Sequence, residues 1–353
     1  MEMKRKKISV TSLILPVIML VVAVVLPMIY STNYYIQLFS QTLINLVAVL
    51  GLNVVMGLAG QTNLGTIALV ALGSYTSALI SQATGSTNLI GLLAALVVAV
   101  LVGFMLGYPS LRVSGIFLSL TTMSVAQIVY SLANSMQWLT GGAMGVKDIA
   151  KPNIFGIVFE TQAQLYYFIL VIAILLIIFS VRLTKSKYGR ALKAVRDNPE
   201  AVESVGLSVT KLKLMAFLIA TILGCLAGVF YTWVMQYVAP TTFTTDNGTK
   251  FVVMLMLGGI GSTSGMIIGA ILVTILPELL RAFADYRMLA YSVVLVLVMI
   301  FRPQGIFGSW EFSLPRLVNR MLFRGAAGKG AKPAASAKQH DQSDDKTVKE
   351  ASR

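Results

Sequence analysis

"FVVMLMLGGIGSTSGMIIGAILVTILPELL", residues 251–280, is apolar except at its centre, where "GGIGSTSG" occupies 258–265. Read as one helix, the stretch crosses a bilayer once. Read as a pair folded at the glycines, it crosses twice, in halves of about 14 and 16 residues. A glycine turn between such short halves is tolerable at membrane depth only where protein or a wet cavity covers it. The choice sets the side on which everything C-terminal to it lies.

Charge favours the pair. Lys4, Arg5, Lys6 and Lys7 place the N-terminus on the cytoplasmic side. With two crossings in 251–280 the chain has about ten spans and both termini are cytoplasmic. The cytoplasmic segments then hold four basic residues at the N-terminus, one at Arg112, eight in 182–213 and ten in 302–353, which is 23 of the 28. With one crossing the ten in the C-terminal part fall outside, against the positive-inside tendency.

The other spans follow from apolar runs long enough to cross. The first, 8–29, follows the basic cluster. It is too long for a signal peptide and lacks an A-x-A site, so an uncleaved span is expected. Further runs cover 34–56, 67–82, 88–107, 115–133, 165–183, 214–237 and 288–301. The chain is 56% hydrophobic and 12% charged, against roughly 25% charged in soluble domains. An all-α integral membrane protein is expected. Its transmembrane domain spans 1–311, and 312–353 forms a mostly disordered cytoplasmic tail, rich in Ala, Lys, Asp and Ser towards its end.

Several chemistries are disfavoured. One cysteine, Cys225, and one histidine, His340, make neither a disulfide nor a metal site, so no metal and no cofactor is expected. No HExxH, GxSxG or Walker A pattern occurs. The net charge of +14 reads as membrane orientation and not as nucleic-acid binding. The spans lack ionisable residues except near their ends, which disfavours a proton relay. A path lined by neutral groups remains. Its candidates are Asn53, Gln61, Thr62, Asn63, Gly65, Thr121, Thr122, Gln127, Gly258 and Gly259, each of which reads equally as packing glue between helices. Gly103 with Gly107, Gly224 with Gly228, and Gly265 with Gly269 fit GxxxG, and packing within the chain is the favoured reading. The glycine-hydroxyl patches at 57–66 and 258–265 are alike, either as related halves or as common turns.

Between two spans lies a charged segment, 184–213, containing "NPEAVESVG" at 198–206. Asn198 suits an N-cap, Pro199 the first helical position and Gly206 a helix end. A short rigid helix with Glu200 and Glu203 one turn apart suits contact with a partner.

"EAVESVG" resembles the E-A-A-x-x-x-G signature of ABC importer permeases, with Val202 in place of the second Ala. "GRALKAVRDNPEAVESVGLSVTKLKLMAFLIA" at 189–220 closely resembles the branched-chain amino acid permeases, and within them the M-type of two sibling subunits. "GLNVVMGLAGQTNLG" (51–65), "SGIFLSLTTMSVAQIV" (114–129), "LTGGAMGV" (139–146), "MLGGIGSTSGMIIGAILVTILPELLR" (256–281) and "FRPQGIFG" (301–308) agree in family order, so the resemblance covers about 34–308. The tail beyond about 312 is outside the shared pattern.

The resemblance implies a permease of the bacterial inner membrane, working with a sibling permease, two ATP-binding subunits and a substrate-binding protein, and carrying leucine, isoleucine and valine. It implies an ATPase-coupling role for Arg190, Arg196, Asn198, Pro199, Glu200, Ala201, Glu203 and Gly206. Permeases for urea, amides, other amino acids or sugars, and an ATP-independent channel, are the competing readings.

Overall fold

The computed structural model describes residues 21–29, 32–85, 89–110, 113, 115–154, 157–280 and positions 286, 289, 292, 293, 296 and 300. The proposed tail at 312–353, the "RPQG" segment and most of the expected last span lie outside the described residues, as does the start of the first span. Helix α1 covers 21–29.

The described residues are almost wholly helical. Helix α2 (Asn33–Leu52) runs into a π-helical turn (Asn53–Leu58). Then come α3 (Thr66–Thr84), α4 (Leu89–Ser110) and α5 (Ile116–Ser135). A connecting region holds the single turn α6 (Gln137–Thr140), a 3-10 turn (Gly142–Met144) and a two-residue hairpin of β1 (Asn153–Ile154) with β2 (Ile157–Val158). Helices α7 (Gln162–Lys185), α8 (Lys187–Asp197), α9 (Pro199–Ser204), α10 (Val209–Met235), α11 (Thr245–Gly258) and α12 (Thr263–Leu279) follow. Six helical stretches among the described residues are long and apolar enough to span a bilayer: Asn33–Leu58, Thr66–Thr84, Leu89–Tyr108, Ile116–Ser135, Gln162–Lys185 and Val209–Met235.

Side-chain caps set where helices begin. Thr161 and Gln164 form a reciprocal capping box at α7. Ser186, Ser208, Thr244 and Ser262 each accept a backbone N–H at the starts of α8, α10, α11 and α12.

Helix α10 is central and packs on α2, α3 and α4. Its approach to α3 is backbone on backbone: a Cβ on Gly228 would meet the Val70 carbonyl, and one on Gly73 would meet that of Cys225. Ser74 Oγ donates to the Gly228 carbonyl at 2.9 Å, and Thr232 Oγ1 donates to that of Ser74 at 3.0 Å. Gly103 and Gly107 of α4 leave room for Leu218 and Leu214 of α10. The three GxxxG pairs thus pack within the chain, as small residues do where lipid supplies no hydrophobic drive between helices.

The 251–280 stretch is a pair of helices. Gly258 faces Gly265, and Gly269 faces the Met254 carbonyl, so α11 and α12 run antiparallel from a turn at 259–262. Gly259 and Gly261 turn the chain there at φ +107° and +87°, angles that favour glycine. Helix α11 starts at Thr245, earlier than hydropathy suggests, because Thr244 caps it.

Candidate functional site

Helices α8 and α9 form a bent arm between α7 and α10. Ser186 opens α8 by accepting from Gly189 N at 3.1 Å. Asn198 does two jobs: its N–H donates to the Ala194 carbonyl at the end of α8 (2.8 Å), and its Oδ1 accepts from Ala201 N at the start of α9 (3.1 Å). Pro199 occupies the first position of α9, where its missing N–H costs nothing. At the other end Gly206, at φ +81°, donates to the Glu203 carbonyl (2.9 Å), and Leu207 N donates to that of Val202 (3.2 Å). This pair of reverse bonds is the Schellman closure. Both ends of a six-residue helix are therefore fixed.

The arm has its own small core of Val195, Val202 and Val209. Val202, the departure from the permease signature, is buried and fills it. The outward side carries Glu200, Ala201 and Glu203, all exposed, together with Val205, Leu207 and Tyr188. Sequence reading missed those last three. Val205 is 72% exposed on a segment that otherwise buries its valines, and an apolar residue next to a capping glycine was the available signal. Arg190 is exposed, its Nη1 donating to the Lys185 carbonyl at 3.0 Å.

Arg196 behaves differently from its neighbours. Its Nη1 donates to the Gly57 carbonyl at 2.8 Å, and its Nε pairs with Asp197 Oδ1 at 3.2 Å. Gly57 belongs to the π-helical turn at the end of α2. Asn53, one turn earlier and fully buried, accepts from Gly261 N at 2.8 Å through its Oδ1. Thus α8, the end of α2 and the α11–α12 turn meet at one end of the molecule. Thr62 adds the start of α5 by donating to the Gly115 carbonyl at 2.8 Å.

The neutral residues proposed for a path separate into groups. Asn63, Gly65, Thr121 and Thr122 border one small cleft, with Leu69, Leu106, Leu118, Val125 and Phe217. Thr122 Oγ1 accepts from Leu64 N, and Asn63 Oδ1 accepts from Gly65 N, so both side chains hold the α2–α3 turn in shape. Asn53, Gly258 and Gly259 lie at the glycine turn instead. Gln61 is buried, and its Oε1 has no partner among the described residues. Gln127 is exposed on α5 and accepts from Thr245 Oγ1 at 3.2 Å.

At the opposite end, the region after α5 pairs with the region after α10. Val146 and Val238 exchange backbone hydrogen bonds, and Tyr237 OH donates to the Met144 carbonyl at 3.0 Å. Helix α7, with 24 residues, separates the two ends by about 36 Å at 1.5 Å per residue.

Long apolar helices around a small-residue core, with a capped polar arm at one end, define a helical protein built to span a membrane several times. The comparisons give the particular family. The profile of the branched-chain amino acid transport system permease component matches residues 34–302. The high-affinity branched-chain amino acid transport system permease protein LivM of Escherichia coli K12 is 34% identical over 337 residues, covering 89% of this chain and 77% of its own. A probable LivM of Methanocaldococcus jannaschii is 24% identical over 70% of this chain and 78% of its own. The autoinducer 2 import system permease protein LsrC of Salmonella choleraesuis is 28% identical over about half of each chain. No solved structure matches. The chain belongs to the branched-chain amino acid transport permease family and is a multi-pass protein of the bacterial cell inner membrane.

Proposed function

We propose that this chain is the LivM-like permease subunit of an ABC importer for leucine, isoleucine and valine. It makes no chemical change itself. A LivH-like sibling permease completes the path, two ATP-binding subunits drive it and a substrate-binding protein delivers cargo from outside. The observation that carries the coupling role is α9: a helix capped at both ends, held by three valines, with carboxylates and apolar side chains facing outward. That surface suits a groove on an ATPase. Glu200, Ala201 and Glu203 make the contact, Asn198, Pro199 and Gly206 shape it, and Arg190 flanks it. Asn53, Gln61, Thr62, Asn63, Gly65, Thr121, Thr122, Gln127, Gly258 and Gly259 border the moving path or its hinges.

About ten crossings with both termini cytoplasmic remains the topology in this reading, with a permease domain at 1–311 and a cytoplasmic tail at 312–353. The joining of residues 57–62, 115, 196 and 261 at one end supports it, since the charge argument assigns all of them to the cytoplasmic side. The exposed apolar faces of α4 and α5 suit lipid or the sibling permease.

The test is reconstitution of the chain with its sibling, ATPases and binding protein in liposomes, followed by labelled-leucine uptake. Uphill uptake is expected only with ATP inside the ATPase compartment. Uptake that persists without the ATPases would make the chain a facilitator.

A further inference from the structure

We propose that Arg196 is not a docking residue for the ATPase but the inner end of the lever, a positioning residue that ties the α8–α9 arm to the hinge at the end of α2 and to the α11–α12 turn. This rests on the importer reading above and names the link inside it.

The chemistry begins with an orphan. The last carbonyls of a helix lack intrahelical donors and carry the negative end of its dipole. Helix α2 ends in a π-helical turn, closed by Ala59 N on the Val54 carbonyl and Gln61 N on that of Val55. Arg196 supplies the Gly57 carbonyl with a cationic donor, the stronger kind of hydrogen bond. Such π-turns are wider and less stable than α-turns and recur at functional sites.

Three glycines make this contact possible. At Gly60, φ is +68°, and a Cβ would strike Arg196 Cγ. A Cβ on Gly57 would strike Asn53 Oδ1 and stand 2.8 Å from Gly261 N. Gly261 lies over the contact, with its Cβ position 3.6 Å from the Gly57 oxygen and 3.8 Å from Arg196 Nη1. The chain from arm to turn is therefore Arg196 to Gly57, Gly57 against Asn53, and Asn53 to Gly261. The three segments are far apart in sequence, and beneath the polar contact Leu192 of α8 packs with Val54, Val55 and Leu58 of the π-helical turn and Phe217 of α10.

The joint also holds an unused group. Asn53 Nδ2 is buried and has no hydrogen-bond partner among the described residues. An unsatisfied buried donor costs free energy and would gain a partner in a second arrangement. Transmission needs an element with two arrangements that both ends can bias. A π-turn held from outside by one cation, beside a spare donor, is such an element. Motion of α9 would pull Arg196, and Arg196 would move the carbonyl about which the two glycine turns are built.

The experiment uses the full assembly in proteoliposomes and reads leucine accumulated per ATP hydrolysed. Arg196→Ala is expected to lower that ratio by roughly tenfold, the size of one lost charge-assisted bond, while the ATPase subunits still co-purify. Arg196→Lys, which keeps a cationic donor, is expected to recover part of it. Gly57→Ala leaves the arm's sequence untouched and displaces Asn53, so it should lower the ratio in the same way. The double variant should be no worse than the poorer single, since both break one chain of contacts. A wild-type ratio in Arg196→Ala would overturn the proposal. So would loss of the ATPases from that variant, which would make Arg196 a docking residue, or a multiplicative fall in the double variant. If the wild-type assembly accumulates no branched-chain amino acid, the importer reading fails, and the link fails with it.

Discussion

Glu200 sits exposed in the first turn of α9, where a carboxylate is favoured by the helix dipole and Lys is not. Glu200→Lys reverses charge on the outward face without touching the valine core. It is expected to insert normally and to weaken ATPase attachment roughly tenfold, as charge reversal at a contact rim does, measured by co-purification and uptake. Unchanged uptake would remove α9 from the mechanism. Gly206 gives a cleaner conformational test. A Cβ there meets nothing within 4 Å, so the cost of a side chain comes from φ +81° alone. Gly206→Val is expected to cost about 1–2 kcal/mol and to reduce assembly, whereas Gly206→Asn, which tolerates left-handed φ, stays near wild type. If valine and asparagine behave alike, the backbone at 206 is not what shapes the contact. Residue chemistry of this local kind was legible in the sequence: Asn198, Pro199 and Gly206 act within one short stretch, 198–206. Val202 was not, because Val195 is brought to it by the bend between α8 and α9 and Val209 by the turn at Gly206.

Elements were legible wherever the signal was hydropathy. The runs at 34–56, 67–82, 88–107, 115–133, 165–183 and 214–237 all emerge as helices, with ends shifted by a few residues where a cap or polar turn extends them. What hydropathy cannot carry is how helices meet. Asn53 reads as a polar residue inside a span, yet its partner is Gly261. Arg196 reads as one cation among several, and only the fold brings its guanidinium to the Gly57 carbonyl. Helix crossings can be tested at Gly228, where the backbone of α10 lies directly against that of α3. Gly228→Ala places a methyl group on the Val70 carbonyl and 2.7 Å from Ser74 N. The helices must then part, breaking the Ser74 and Thr232 hydrogen bonds across the crossing. A loss of about 1–3 kcal/mol is expected, seen as earlier thermal aggregation of the detergent-purified protein. Unaltered thermal stability would mean that α3 and α10 do not approach as closely as described.

Over the whole molecule, function depends on two ends doing different work across one membrane. The arm at 187–204 and the glycine turns lie at one end, and the paired connecting regions around Val146 and Val238 lie at the other. Helices α7 and α10 join them directly, and α7 exceeds the roughly 30 Å of a hydrocarbon core. In the proposed importer this separation would let ATP energy received at the arm open a path at the other end. It also gives the orientation a direct test. Cys225 is the sole cysteine and is buried in α10, so a Cys225→Ala background is blank for thiol labelling. Glu203→Cys and Trp138→Cys introduce single thiols at exposed positions on the two ends. With a membrane-impermeant maleimide, Trp138→Cys is expected to react in intact cells. Glu203→Cys should react only in everted vesicles if the arm is cytoplasmic, as the basic residues of 182–213 predict. The reverse pattern would invert the topology and put α9 out of reach of any ATPase. Reaction of both from the same side would mean that α7 does not cross the membrane.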